Sequence, residues 1–507
     1  MNIAHLLNNT AQRYGTRPAV ALHDRVLLSY RELAQRTRRV AAALRARGLA
    51  PGDRVGLAMG NYPEYFEILF GCWQAGLIAV PMNPRLHPSE FAWILGHSGA
   101  RLCFVGPELA GELAAYQHDC PTLQRLIAID APEYHAIAEY PAGLDCAEVD
   151  AAAPAWLFYT SGTTGRPKGA MLSHRNLLAM TLAYFADLDR PGPQDAMLHL
   201  APLSHGSGLY MLPHIARGAC QVIPESDHFD PEEVWTLLRE YPGLSFFAAP
   251  VMLRRLCTSH VDEAALRHLR TIVYGGAPMY LADLRSALDV LGPKLAQIYG
   301  QGESPMTITA LDRSAHADIA HADYEARLAS VGYPRSGVEV RVVDELGQPL
   351  ADGEAGEVVV RGDVVMSGYW QDPVASARAL QGGWLHTGDV GSFGGDGFLM
   401  LRDRSKDLII SGGSNIYPRE VEEVLLRHPG VAEVSVIGCP DAEWGEQVVA
   451  CLVARDPQLT PGNAELDELC LQHIARYKRP KQYLWLPMLP RNSTGKVLKR
   501  ELRARFS

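Results

Sequence analysis

The sequence predicts an α/β protein in two parts. A large N-terminal domain of helix-covered sheets plus a small β region spans residues 1–403, and a small mobile α+β C-terminal domain spans residues 404–507. Three observations predict it. Short apolar runs bounded by Gly and Pro recur with helical patterns between them. From Val338 the texture changes to strict alternation. The last hundred or so residues pattern as a unit of their own. A chain of 507 residues also exceeds what one ordinary core organises.

The first repeat of the pattern sets the reading. Val55-Gly56-Leu57-Ala58-Met59 reads as a buried strand, Gly60-Asn61-Tyr62-Pro63 as a turn, residues 64–73 as a helix and residues 77–81 as the next strand. This is a β-α-β unit. Similar apolar runs follow at 102–105, 126–129, 156–159, 197–200, 244–248 and 272–274. Strands alternating with helices predict parallel sheets covered on both faces, with ligands beyond the carboxyl ends of the strands. Residues 338–343 and 357–361 alternate apolar and polar, separated by Asp352-Gly353 and Ala355-Gly356, which reads as a small antiparallel region. Pro418 then opens a helix with Glu420, Glu422 and Glu423 in its first turn, Val421, Val424 and Leu425 as its apolar stripe, and Arg427, His428 and Gly430 at its end. Strands at 434–437 and 448–453 and a basic terminal helix complete the unit.

Composition narrows the function. The chain is 47% hydrophobic and 21% charged, and its formal net charge of -10 disfavours nucleic acid as a bulk partner. A local pocket can still hold an anion. No apolar run reaches bilayer length, so no membrane span is expected. Residues 1–15 lack a basic segment followed by an apolar core, which places the protein in the cytoplasm. Nine cysteines lie scattered from Cys72 to Cys470 without a C-x-x-C pair, and read as reduced core thiols rather than a zinc or disulfide framework.

The most specific segment is Tyr159-Thr160-Ser161-Gly162-Thr163-Thr164-Gly165-Arg166-Pro167-Lys168-Gly169. Its glycines let the backbone approach a ligand, and its hydroxyls and successive N–H groups can surround phosphate oxygens. Lys168 and Arg166 add positive charge. It follows an apolar strand but is not a G-x-x-x-x-G-K-[ST] loop. Alone it could be a polar surface turn. Five further segments stand beside it: Ala201-Pro202-Leu203-Ser204-His205; Tyr274-Gly275-Gly276-Ala277-Pro278; Tyr299-Gly300-Gln301-Gly302-Glu303; Trp384-Leu385-His386-Thr387-Gly388-Asp389; and Pro490-Arg491-Asn492-Ser493-Thr494-Gly495-Lys496. The run from Asp403 through Arg404 and Lys406 to Gly412, Gly413 and Pro418 joins the two parts.

In order and spacing these segments resemble the motifs of the adenylate-forming superfamily, which comprises acyl-CoA synthetases, firefly luciferases and peptide-synthetase adenylation domains. The resemblance covers the chain from about Ser29 to Lys499. It implies that Thr160, Ser161, Gly162, Thr163, Thr164, Gly165 and Lys168 hold the β- and γ-phosphates of ATP, with Thr163 also in the catalytic set. It implies that Gly276, Ala277 and Pro278 flank adenine, with the Tyr299 ring packed on the base and Gly300 and Gln301 beside it. Glu303 would hold Mg²⁺, in keeping with that ion's preference for hard oxygen ligands. Asp389 and Arg404 would take the ribose, and a carboxylate's two oxygens suit a vicinal diol. Gly412 and Gly413 would approach the pantetheine tunnel. Lys496 would reach the reacting carboxylate, and Lys406 would be the hinge. His205 would gate or wall the acyl tunnel without acting as a general base. Where relatives carry Thr, this chain has Gly302, which removes one α-phosphate contact and is expected to leave more room for the acid.

The implied function is an acid–CoA ligase that uses ATP, Mg²⁺ and coenzyme A. The carboxylate attacks the α-phosphorus, pyrophosphate leaves, and the CoA thiolate then displaces AMP. Positioning and electrostatic stabilisation would carry the catalysis. The expected acid is a medium or long aliphatic, or an aryl, monocarboxylate. Gly206, Ser207, Gly208, Gly275, Gly276, Gly300 and Gly302 suggest a roomy site, and Leu209, Met211, Leu212 and Met306 an apolar one. Among arginines only Arg254 and Arg255 stand as candidates to meet a second carboxylate. Two rival readings remain: a carrier-protein acceptor, disfavoured because no carrier domain follows Ser507, and a nucleotide-binding paralogue without chemistry. The sequence leaves a homodimer open.

Overall fold

The computed structural model describes residues 1–160, 166–277, 279–404, 407–411, 414–441, 444–492 and 495–506. The side chains of Asp403 and Arg404 are outside that description, as are Ser161 to Gly165, Pro278, Lys406, Gly412 and Gly413.

A six-stranded sheet runs in the order Arg125–Ala128, Leu102–Val105, Arg54–Ala58, Ile78–Met82, Pro154–Thr160, Lys168–Ser173. All its pairs are parallel except the last, in which Thr160 faces Lys168 across an antiparallel ladder. A nine-stranded sheet has a parallel core of Leu295–Tyr299, Leu269–Tyr274, Leu244–Ala248, Ala196–Leu198, Cys220–Ile223 and Pro18–Leu22, with antiparallel edges. The expected parallel sheets are thus present, but both edges of the larger sheet and one edge of the smaller are antiparallel. The first β-α-β unit has the expected form: strand Arg54–Ala58, helix Glu64–Gln74, strand Ile78–Met82. That helix is buried from Tyr65 to Gln74, and its buried Glu67 pairs with Arg36 and Tyr134.

One junction positions much of the site. Strand Lys168–Ser173 leads straight into helix His174–Asp187. Ser173 Oγ accepts the Asn176 N–H at 3.1 Å, and Asn176 Oδ1 accepts the Ser173 N–H at 2.7 Å. Such a cap is worth about 1 kcal/mol. Asn176 Nδ2 also donates to the carbonyls of Asp363 at 2.6 Å and Val365 at 2.8 Å. Beyond Val365 the chain runs along the strand: Ser367 N–H donates to Met171 O, Met171 N–H to Gly368 O and Trp370 N–H to Gly169 O. Residues far apart in sequence are thereby fixed beside the hairpin that follows Tyr159.

A four-stranded antiparallel sheet comprises Val338–Val343, Gly356–Gly362, Leu385–Phe393 and Leu399–Arg404. The alternation at 338–343 and 357–361 forms its first ladder, with Val340 opposite Val360. Arg404 closes the last strand, opposite Asp389. Residues from Ile409 onward form a separate apolar cluster that includes Ile409, Val421, Leu425, Val436 and Leu452. Its centre is the hairpin of Val431–Asp441 and Gly445–Ala454. Helix Pro418–Leu425 starts at the expected proline but stops before Arg427, His428 and Gly430. The chain past Leu426 turns on i→i−3 bonds, Arg427 N–H to Val424 O and His428 N–H to Leu425 O. Its acidic residues do more than complement the helix dipole. Glu420 pairs with Lys478 at 2.7 Å, and buried Glu422 accepts the Val436 N–H at 2.8 Å and lies 3.3 Å from Lys499.

All nine cysteines are free. Among the described residues no helix is long and apolar enough to cross a membrane.

Candidate active site

Thr160, Tyr274 and Tyr299 each end a strand. Two sheets contribute these ends, and in α/β sheets ligands bind beyond such strand ends.

On one side lies a buried carboxylate. Tyr299 donates its hydroxyl to Asp389 Oδ2 at 2.6 Å, and Gln301 Nε2 donates to the same oxygen at 2.6 Å and to Thr387 O at 2.9 Å. Hydrogen bonds to an ionised acceptor are the strong ones, so this pair of donors orients the Asp389 side chain. The ladder places the Arg404 backbone opposite Asp389. The hydroxyl contact of Tyr299 was not legible in sequence.

On the other side lies Glu303. Tyr369 donates its hydroxyl to Glu303 Oε1 at 2.7 Å, and Thr160 Oγ1 lies 3.4 Å from the same oxygen. Among the described residues no hydrogen bond is made to Oε2. Burial, and after it the Glu303 charge, raises the Tyr369 pKa, so the phenol keeps its proton and remains a donor. The Lys168 ammonium sits 5.2 Å from the centre of the same ring and 4.0 Å from Asp372. Arg166 is turned elsewhere, over Trp93 at 4.4 Å. Of the two cations at the end of the loop, Lys168 is the one over Tyr369, whose hydroxyl bonds Glu303. The central residues of the expected phosphate loop, Ser161, Gly162, Thr163, Thr164 and Gly165, lie outside the described residues, as do Pro278, Gly412 and Gly413.

The extra room expected at Gly302 is not there. A Cβ on Gly302 would lie 2.3 Å from Thr160 Cγ2 and 2.8 Å from Phe158 Cδ1. Gly302 is needed because the neighbouring strand end already fills that volume. Gly302→Thr should displace Thr160 from Glu303 and cost about 1–3 kcal/mol as an overpacked site. The expected result is a lower melting temperature and slower ATP–pyrophosphate exchange with short and long acids alike. A loss confined to long acids would restore the pocket role. The room expected at Gly206 is also occupied, by Met306 Cε at 2.9 Å and Phe247 Cε1 at 3.1 Å from a built Cβ.

His205 directly precedes helix Gly206–Arg217. Its ring meets Phe158 nearly edge-on, centroids 5.2 Å apart, and Nδ1 lies 2.9 Å from Ser204 Oγ. Burial pushes its pKa down to about 4, so it is neutral at pH 7. A ring so weakly basic is a poor proton acceptor near pH 7. Arg254 and Arg255 do not serve as carboxylate receptors: Arg254 bonds Glu433 at 2.7 Å, and Arg255 lies over Phe229.

The small unit meets the large one through polar contacts. Glu433 joins Arg254 of the large part to Arg491, at 2.7 and 2.8 Å. Tyr280 donates to Glu422 Oε2 at 3.0 Å. Arg491 Nη1 donates to Gly495 O at 2.7 Å, and a Cβ on Gly495 would lie 3.9 Å from Val251 Cγ1. The loop bearing Lys496 therefore rests beside helix Pro250–Thr258, which follows the central strand Leu244–Ala248. The Lys496 N–H donates to Asn492 Oδ1 at 2.8 Å, and the residue is exposed.

Sequence reasoning missed Tyr369 and Asp372. Gly368-Tyr369-Trp370 carries no spacing that ties it to Glu303, and only the Asn176 junction brings it there.

The sequence profile described as AMP-binding enzyme matches residues 7–370, and that of the AMP-binding enzyme C-terminal domain matches residues 420–496. The chain is 39% identical over 487 residues to a feruloyl-CoA synthase of Amycolatopsis sp, covering 96% of this chain and 95% of the relative. It is 36% identical to the fatty acid–[acyl-carrier-protein] ligase ScoC of Streptomyces coeruleorubidus, covering 98% and 95%. Among solved structures, ATP-bound MatB from Rhodopseudomonas palustris superposes with a TM-score of 0.89 at 29% identity, covering 100% of this chain and 99% of that one.

Proposed function

The chain belongs to the AMP-binding enzyme family, and from that premise we propose that it joins a monocarboxylic acid to coenzyme A through an acyl-adenylate. It is an AMP-forming acid–thiol ligase, with ATP, CoA and a small carboxylic acid as its substrates. The observation that carries the reading is the pair of held carboxylates near the end of strand Leu295–Tyr299, Asp389 fixed by Tyr299 and Gln301, and Glu303 fixed by Tyr369.

In this reading Asp389 and Arg404 take the ribose hydroxyls, and Gly276, Ala277 and Tyr299 bound the adenine. Lys168 faces the phosphates from over the Tyr369 ring. The residues present fit a divalent ion: Glu303 is a hard oxygen donor whose Oε1 is engaged and whose Oε2 takes no hydrogen bond among the described residues. Mg²⁺ bound there would offset phosphate charge. The substrate carboxylate attacks the α-phosphorus of ATP and pyrophosphate leaves. Lys496 offsets the charge that builds where two anions meet, which is electrostatic preorganisation rather than nucleophilic catalysis. The CoA thiolate then attacks the acyl carbon, and AMP departs. We place the domain boundary near Arg404 and the hinge at Lys406, and read the polar junction at Glu433 and Glu422 as the face that parts between the two steps. We place the reaction in the cytoplasm.

The second reading changes only the acceptor, and the similarity to a carrier-protein ligase favours it. Purified protein given ATP and a panel of acids decides between them. AMP release should require CoA, with acyl-CoA formed in equal amount. AMP release that needs a phosphopantetheinyl carrier protein, or that is unchanged without CoA, would overturn the CoA assignment.

A further inference from the structure

Asn61 lies between strand Arg54–Ala58 of the six-stranded sheet and helix Glu64–Gln74. Its side chain crosses to the nine-stranded sheet, just beyond the end of strand Ala196–Leu198. There Nδ2 donates to the carbonyls of His199 at 2.8 Å and Ala201 at 3.0 Å, and Oδ1 accepts the Leu203 N–H at 2.8 Å. The three partners fix the orientation of the amide, because only its NH₂ end can face two carbonyls. They also account for the residue type. Asp would bring no donor, Ala neither donor nor acceptor, and Gln would set the same groups one methylene further out. His199, Ala201 and Leu203 are buried, so without Asn61 their backbone groups would need other partners inside the protein. Among the described residues no other side chain hydrogen-bonds the backbone between His199 and His205.

The clamped segment carries His205. The His205 N–H donates to Pro202 O at 3.0 Å, and its ring rests against Phe158, centroids 5.2 Å apart. Phe158 in turn reaches the Glu303 segment, since its Cδ1 lies 2.8 Å from a Cβ built on Gly302. The segment also bears on the helix that follows: a Cβ on Gly208 would lie 1.7 Å from Leu203 O. Leu203 therefore has the first turn of helix Gly206–Arg217 on one side and the Asn61 amide on the other. Packed interiors pass such displacements on rather than absorbing them. A shift of Leu203 would move the His205 ring off Phe158.

We propose that Asn61 is a positioning residue of the ligase reaction: it ties the two sheets together at the 199–203 segment and so holds His205 against Phe158. This rests on the acid–CoA ligase reading. The test is a double-mutant cycle of Asn61→Ala and His205→Ala in CoA-dependent AMP release, with the acid that the wild type uses best from a panel including octanoic, benzoic and cinnamic acids. A displacement of about 1 Å can cost about 10²-fold, so Asn61→Ala should lower kcat/KM for the acid by about tenfold, with the KM for ATP unchanged. In the His205→Ala background the same change should cost nothing further. Hydrogen exchange should quicken in the peptide spanning 199–205 and stay as in the wild type at strand Leu244–Ala248. If Asn61→Ala does not fold, Asn61→Gln, which keeps the amide but moves it by a methylene, carries the same cycle with the same expectations. The proposal is overturned if kcat/KM for the acid is unchanged, if the two losses multiply, if the acid and ATP parameters fall by one common factor, or if exchange at 199–205 does not quicken. AMP release by the wild type from none of the acids would instead sink the ligase reading, and this proposal with it.

Discussion

Lys496→Ala should lose acid-dependent ATP–pyrophosphate exchange by about 10²–10³, while transfer from supplied acyl-adenylate to CoA falls far less. Losing one preorganised donor of transition-state charge costs about 2.7–4 kcal/mol. The first step joins two anions, and the second begins from an adenylate already formed. The loop around Lys496 is shaped for such a task. Gly495 takes a φ of +84°, which favours glycine, and Asn492 accepts the Lys496 N–H. The Arg491–Glu433–Arg254 bridge fixes that loop to the large part of the molecule. Rates for the two half-reactions, measured separately, give the check. Equal losses in both would remove Lys496 from the adenylation step.

Asp389→Ala should raise the KM for ATP by about 10- to 100-fold, with a smaller change in the KM for the acid. A hydrogen bond to a charged group contributes about 1.5–3 kcal/mol, which sets that range. The loss has two sources. The ribose would lose its acceptor, and the Tyr299 hydroxyl and Gln301 amide would lose the oxygen on which both now converge. Steady-state kinetics at varied ATP and fixed saturating acid would show it. An unchanged KM for ATP would mean that the carboxylate serves only to hold the Tyr299–Gln301 segment.

Local pattern made most strands legible, because apolar runs ended by Gly or Pro specify their own limits. Arg54–Ala58, Leu102–Val105 and Leu244–Ala248 fell within a residue or so of the runs that predict them. Strand direction at the edges was not legible, since nothing local in Lys168–Ser173 tells it to run back along Pro154–Thr160. The helix from Pro418 ends sooner than its sequence suggests. Its carboxylates bond across elements, Glu422 to Val436 and Tyr280, and its last turn tightens after Leu425.

The candidate site was legible as a set of segments. Asp389, Tyr299, Gln301, Glu303 and Thr160 all come from segments that the sequence singles out, although the contacts between their side chains were not legible there. Groups that act from outside the motifs were hidden. Tyr369 reaches Glu303 only because Asn176 ties down the chain at Asp363 and Val365. Glycine was misread for a physical reason: in sequence a missing side chain looks like free space. At Gly302 and Gly206 the space belongs to Thr160, Phe158, Phe247 and Met306.

The central claim is that the substrate carboxylate itself attacks the α-phosphorus of ATP. An acid labelled with ¹⁸O in both carboxyl oxygens tests it directly, through mass spectrometry of the products of a CoA-dependent turnover. Attack by the carboxylate, followed by thiolate displacement, leaves one label in the phosphate of AMP and one in the thioester carbonyl. Label appearing in inorganic phosphate beside ADP, or AMP that carries none, would contradict the acyl-adenylate route.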